Sequence, residues 1–138
     1  MVEKRFADRE IGDKYASSKA RLVTPTELDM FCNITGMRGE AFLSDEAARA
    51  MGMKSRLLPG AMSLAILFSL IDEFVGGAVF TKMNNLSLVA PVYPYDKLSA
   101  ELEVVGKKET SKGDRVFMTY NWVLKNQDEV TVAQAENT

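Results

Sequence analysis

Pro59-Gly60-Ala61-Met62-Ser63-Leu64-Ala65-Ile66-Leu67-Phe68-Ser69-Leu70-Ile71-Asp72-Glu73-Phe74-Val75-Gly76-Gly77 carries the architecture of this chain. Eleven of the fifteen residues from Ala61 to Val75 are apolar. At about 100° per residue, Ser69, Asp72 and Glu73 fall in one narrow sector, with Ser63 about 80° beyond its edge. A helix so apolar cannot lie on a surface, so the spacing predicts one that is covered on most sides. Gly76-Gly77 ends it. Its most apolar run, Ala61 to Ile71, is about half of the ~20 residues that cross a bilayer, so a membrane span is not expected.

Downstream, the apolar period changes from 3.6 to 2. Residues 78–88 are apolar with mixed alternation, and Pro91 and Pro94 close that segment. Over 97–104, Leu98, Ala100, Leu102 and Val104 face one way and Lys97, Ser99, Glu101 and Glu103 the other. Ser111-Lys112-Gly113-Asp114 is a turn into a strand over 115–125, with Val116, Met118, Tyr120, Trp122 and Leu124 on one face. Asn126-Gln127-Asp128 turns the chain into a last strand, 129–135.

Upstream, Thr24, Pro25 and Glu27 spell a capping box, opening a helix with Leu28, Phe31, Cys32 and Ile34 on one face and an end near Gly36. Asp45 is placed to cap a short helix through Ala47, Ala48 and Met51, closed by Gly52. Residues 14–23 read as a weakly alternating first strand, and 1–13 as an irregular or edge segment. Small helices and one long helix followed by consecutive strands indicate an α+β domain with an antiparallel sheet curled around the helix.

Composition narrows the chemistry. The 138 residues predict one domain, 1–138. The net charge is −2, from 17 basic and 19 acidic residues, with no basic surplus for nucleic acid. There is no histidine and one cysteine, Cys32, which removes Ser-His and Cys-His catalysis, His-ligated metals and an internal disulfide. The charged N-terminus has no apolar signal stretch, and a lone thiol suits a reducing, cytoplasmic setting.

Five stretches carry a family signature: Phe31-Cys32-Asn33-Ile34-Thr35-Gly36, Asp45-Glu46-Ala47-Ala48-Arg49-Ala50-Met51-Gly52, Leu57-Leu58-Pro59-Gly60-Ala61-Met62, Leu86-Ser87-Leu88-Val89-Ala90-Pro91-Val92-Tyr93-Pro94-Tyr95-Asp96-Lys97-Leu98 and Asn126-Gln127-Asp128-Glu129-Val130. In this order they resemble the MaoC-like hydratase/dehydratase family, over roughly residues 8–132. The resemblance implies the hotdog fold, in which a curved antiparallel sheet wraps one long central helix. It also implies sheets that join across a dimer, and an acyl thioester of coenzyme A or acyl carrier protein as ligand, with no separate cofactor or metal. Partners under that reading are a second copy, a higher homo-oligomer, or a catalytic MaoC-like chain in a heterodimer.

The resemblance also marks a departure. Active members follow the Thr-Gly with a Gly-Asp-x-Asn-Pro-x-His pattern. Here the Asp position is Met37, the Asn position Gly39, the Pro position Glu40 and the His position Phe42. Neither Met37 nor Phe42 can exchange a proton. Together they bring about 3–6 kcal/mol of burial free energy to a pocket that is otherwise polar. They pack either as core or against an apolar ligand. Tyr95 stands where the family has glycine. Pro59, Gly60 and Ala61 mark the helix start whose N–H polarises the thioester carbonyl in the family. Met37, Phe42, Pro59, Gly60, Ala61 and Tyr95 are therefore the candidate substrate-binding residues. Glu40 is the one candidate catalytic group, against a plain solvated loop residue. Lys54 and Arg56 are candidates for carrier phosphates, against ordinary surface charges. Three activities remain open: a thioester-binding subunit without hydratase chemistry, a hydratase or dehydratase with unusual acid–base groups, and a hotdog thioesterase using Glu40 or Asp45.

Overall fold

Thr24 does start the first helix. Its Oγ1 accepts from the Glu27 N–H at 3.3 Å, and the Glu27 carboxylate accepts from the Thr24 N–H at 3.1 Å. The computed structural model describes residues 4–138, so the first three residues of the charged N-terminus lie outside it. Helix α1 spans Pro25–Thr35 and ends on Gly36, at φ 76°, a left-handed conformation that glycine adopts without cost. It buries Leu28 and Cys32, whereas Ile34 is 82 % exposed. A single turn, α2 (Glu40–Leu43), had no signal of its own in the sequence, and no side chain caps it. Helix α3 spans Asp45–Ala50, and its cap is a correction: Ser44, not Asp45, accepts from the Ala47 N–H. Asp45 instead accepts from the Arg56 N–H at 2.9 Å.

Helix α4 runs Gly60–Val75 and packs Met62, Ile66, Leu67, Ile71 and Phe74 into the core. Around it curls one five-stranded antiparallel sheet in the order β1-β3-β4-β5-β2. Its strands are β1 (Lys14–Ala16), β2 (Met83–Leu88), β3 (Ser99–Glu109), β4 (Val116–Lys125) and β5 (Thr131–Asn137). The inner face carries Ala100, Leu102 and Val104 of β3 and Met118, Tyr120, Trp122 and Leu124 of β4, all buried in one cluster with α4. This is the α+β hotdog arrangement: the sheet's period-2 face meets the helix's broad apolar face.

Several bounds differ from the periodicity reading. Residues 78–82 are not strand, and β2 starts only at Met83. The segment 14–23 contributes three strand residues and then a lone bridge from Arg21 to Leu98. β3 continues past Val104 through a register shift near Gly106 and carries Lys107 and Lys108. β5 sits two residues later than expected at each end.

The cover on α4 is also incomplete. Ala61, Ala65, Ser69 and Asp72 are exposed, with Leu64, Phe68 and Val75 half-buried beside them. The sheet accordingly leaves one long face of the helix bare in the protomer. Strand β2, at the sheet edge, leaves Leu86 and Leu88 exposed as well.

Candidate functional site

Of the residues marked by the sequence, Pro59, Gly60 and Ala61 form the entry to α4, and Phe42 is tied to its approach through Arg56. Pro59 is fully buried and caps the helix without a side-chain bond. Its carbonyl accepts from the N–H groups of Met62 at 2.9 Å and Ser63 at 3.2 Å. Among the described residues, the Gly60 and Ala61 N–H groups have no hydrogen-bond partner. They are the open donors expected at a helix N-terminus, where the dipole favours a negative or polarised oxygen. Leu88 of β2 lies against Gly60: a Cβ placed on Gly60 would fall 2.4 Å from Leu88 Cδ1. Glycine thus lets the edge strand close on the helix start.

Turn α2 is tied to the same approach. The Leu57 N–H donates to the Ala41 carbonyl at 3.2 Å, and Arg56 Nε donates to the Phe42 carbonyl at 3.0 Å. The Phe42 ring is half-buried and packs on the core. It also covers Gly39, where a Cβ would come within 2.8 Å of the ring. Met37 is half-buried in the loop between α1 and α2, and its carbonyl accepts from Arg38 at 3.1 Å. Glu40 is exposed at the first position of α2.

The two candidate carrier-binding cations differ. Arg56 spends its guanidinium on Asp29 and on the Phe42 carbonyl, and its side chain is 14 % exposed. That arrangement locks α1, α2 and the α4 approach together and leaves Arg56 little reach for a phosphate. Lys54 is exposed, with Nζ 5.9 Å above the Tyr93 ring. Tyr95 occupies a left-handed conformation at φ 72°, one that favours glycine, and it is 63 % exposed. Its N–H donates to the Val23 carbonyl at 2.8 Å. Cys32 is buried and free.

The far end of α4 is built otherwise. The Tyr15 hydroxyl donates to Glu73, and the Ser18 hydroxyl donates to the same carboxylate at 3.1 Å. Burial and the Glu73 bond push the Tyr15 phenol up to about 12, and the Tyr15 and Ser18 bonds hold the Glu73 carboxyl below its ordinary range. Glu73, exposed near the end of α4, is thus an anchor for β1 and the residues after it. Beside it opens a cavity of about 770 Å3, walled by Phe6, Phe68, Val116, Met118 and Tyr120 and by the loop 76–81. Arg5, Asp72 and Arg115 stand among its lining residues. Sequence reasoning missed this cavity, because its walls come from four separated segments, none with a local signature.

No helix among the described residues is long and apolar enough to cross a membrane, and no cluster of candidate metal ligands is present among them.

Comparison with known proteins agrees with this fold. A MaoC-like domain family matches residues 6–127. Mesaconyl-CoA hydratase of Cereibacter sphaeroides is 29% identical over 113 residues, which are 78% of this chain and 32% of that protein. The chain thus spans about a third of that relative's length. The uncharacterised protein YdeM of Bacillus subtilis is 32% identical over 98 residues, 68% of this chain and 69% of that one. Among solved structures, a monoamine oxidase regulatory protein from Archaeoglobus superposes with a TM-score of 0.86 at 23% identity, covering 97% of this chain and 91% of the other. The (R)-hydratase of A. caviae superposes with a TM-score of 0.78 at 18% identity over 94% of both chains. A chain of the ChsH1-ChsH2 complex of Mycobacterium tuberculosis gives 0.75 at 16% identity, over 93% of this chain and 94% of that one. The structural likenesses establish the fold, the family match covers nearly the whole domain, and on that ground this chain belongs to the MaoC-like domain family.

Proposed function

We propose that this domain binds an acyl thioester at the start of α4 without hydrating it, as the non-catalytic member of an assembly of MaoC-like chains. One observation carries the reading. Phe42, which the resemblance sets at the position of the family's histidine, is packed on the core beside the α4 approach, while the Gly60 and Ala61 N–H groups stay open. A carbonyl-polarising feature is present, and the two positions that would handle protons hold Met37 and Phe42. A relative whose name specifies hydration of a CoA thioester and a fold neighbour crystallised as a two-chain complex support the ligand class and the assembly.

Titration of crotonyl-CoA by calorimetry, with hydration followed in parallel, tests the proposal. Binding is expected, with hydration at the uncatalysed rate for the wild type and for Glu40→Gln alike. Hydration by the wild type that Glu40→Gln abolishes would overturn it in favour of an active enzyme with an unusual base. Release of free thiol from acyl-CoAs would do so in favour of a thioesterase. The triple change Met37→Asp, Gly39→Asn, Phe42→His is expected to introduce measurable hydration. Gly39→Asn has to accompany Phe42→His, since the phenylalanine ring fills the space an asparagine Cβ needs.

A further inference from the structure

Among the described residues, three buried side-chain polar atoms find no hydrogen-bond partner: Arg9 Nε, Trp122 Nε1 and Asn137 Oδ1. An atom left in that state forfeits its hydration for nothing, so each needs an account. Arg9 has one: its guanidinium lies 4.5 Å over the Phe74 ring, whose face draws a cation. The other two belong to the inner face of the sheet, and the thioester reading uses neither of them.

Strand register makes them neighbours. Across β4 and β5, Tyr120 faces Asn137 and Trp122 faces Ala135. Trp122 and Asn137 are therefore diagonal neighbours on one face, with Cβ atoms about 7 Å apart. Both side chains are fully buried. Asn137 Nδ2 donates to the Tyr120 hydroxyl at 3.3 Å, which orients the amide and leaves Oδ1 as the unpaired acceptor. Ala135 sets only a methyl group opposite the indole, so β5 puts little bulk beside that ring.

The chemistry of the pair selects its ligand. An indole N–H only donates, and an amide oxygen only accepts. A cation at this place would meet the indole N–H, and an anion would meet the amide oxygen. The matching molecule is neutral, accepts one hydrogen bond, donates another and is small enough for a packed core. Water has those properties, and it spans about 5 Å between two heavy atoms that do not bond directly.

We infer that the core holds one water molecule as a fixed ligand, accepting from Trp122 Nε1–H and donating to Asn137 Oδ1. It cross-links β4 to β5 on the face that meets α4. Asn137 is tied in turn to Tyr120, which walls the cavity. The next residue, Thr138, accepts on its carbonyl from the Thr81 N–H at 2.9 Å and the Lys82 N–H at 3.1 Å. The water thus steadies the stretch of β5 that carries the cavity loop. This site stands whether or not a thioester binds at the α4 start.

Trp122 is the chain's one tryptophan, so the protein gives a single indole N–H signal. In 15N-labelled protein that signal is expected to show a cross-relaxation peak with water, of the sign that marks a long-lived internal molecule. Asn137→Leu, close in volume but without the acceptor, is expected to lose the peak and to move the indole emission to shorter wavelength, with circular dichroism unchanged. Tyr120→Phe removes the hydroxyl bonded to Asn137, and with it a proton-exchange route to the solvent, and is expected to keep the peak. A crystal structure is expected to place a water within hydrogen-bond distance of both atoms. The inference is overturned by a wild type without the peak, by a peak that survives Asn137→Leu or vanishes in Tyr120→Phe, or by a crystal structure in which Trp122 Nε1 meets a protein acceptor directly. Should Asn137→Leu fail to fold, the wild-type peak and Tyr120→Phe decide the matter.

Discussion

The two ends of α4 are opposites. At the N-terminal end everything closes in: Pro59 is buried, Gly60 lets Leu88 touch the helix, and Arg56 ties α2 to the approach through the Phe42 carbonyl. At the C-terminal end the chain opens, with two glycines, an extended loop and a cavity, steadied from β1 by Tyr15 and Ser18 on Glu73. Both ends belong to one helix of uniform apolar character, so the difference is made by what the rest of the chain brings to each. One end is tight and keeps open N–H donors, and the other is wide and apolar.

The largest effect should come from between the ends, where the sheet covers the helix. Ile71 is fully buried, and Ile71→Ala is expected to cost about 2–5 kcal/mol in urea unfolding, against less than about 0.5 kcal/mol for Ala65→Ser on the bare face. Similar costs at the two positions would show that the bare face is covered in solution. At the ends, alanine substitutions separate the two regions. A Cβ on Gly76 meets the Asp72 backbone carbonyl at 2.7 Å, which cannot swing aside, and Gly76→Ala is expected to cost about 1–3 kcal/mol. A Cβ on Gly60 meets only the tip of Leu88, a side chain that is 55 % exposed, so Gly60→Ala should cost less than about 1 kcal/mol. Thermal denaturation of both variants checks the order, and a reversal would mean that the N-terminal end is the rigid one for another reason.

The smallest effect is electrostatic. The Tyr15 phenol titrates higher in the folded chain, at about 12, than in the unfolded one, near 10. Its contribution is therefore complete below about pH 10 and is lost as pH rises through about 12. Tyr120, pushed up by burial, adds to the same alkaline loss. Glu73 works in the other direction: its depressed titration contributes above the ordinary carboxylate range and fades as pH falls. Tyr15→Phe should flatten the stability profile between about pH 10 and 12, and an unchanged slope in urea midpoints would place the alkaline loss on Tyr120.

Much of the fold follows from local chemistry along the chain. The capping box at Thr24, the apolar run from Ala61 to Val75 and the alternation on β3 and β4 each declare an element, because capping and periodicity act within a few residues. The end of α1 at Gly36 was equally legible. Turn α2 was not, being four residues long with no side-chain cap. Nor was the cap of α3: Ser44 and Asp45 are both good capping residues, and the tie between Asp45 and the distant Arg56 N–H left the role to Ser44. Residues 78–80 are apolar without pairing into the sheet, since that loop walls the cavity. By itself the sequence determined that a sheet must curl around the segment opened by Gly60, and that Met37 and Phe42 stand where a resemblance expects proton carriers. Only the tertiary structure decided that one face of that helix stays bare and leads from open N–H groups to an apolar cavity, because exposure and cavities arise from segments far apart in the chain, and no single stretch of residues encodes them.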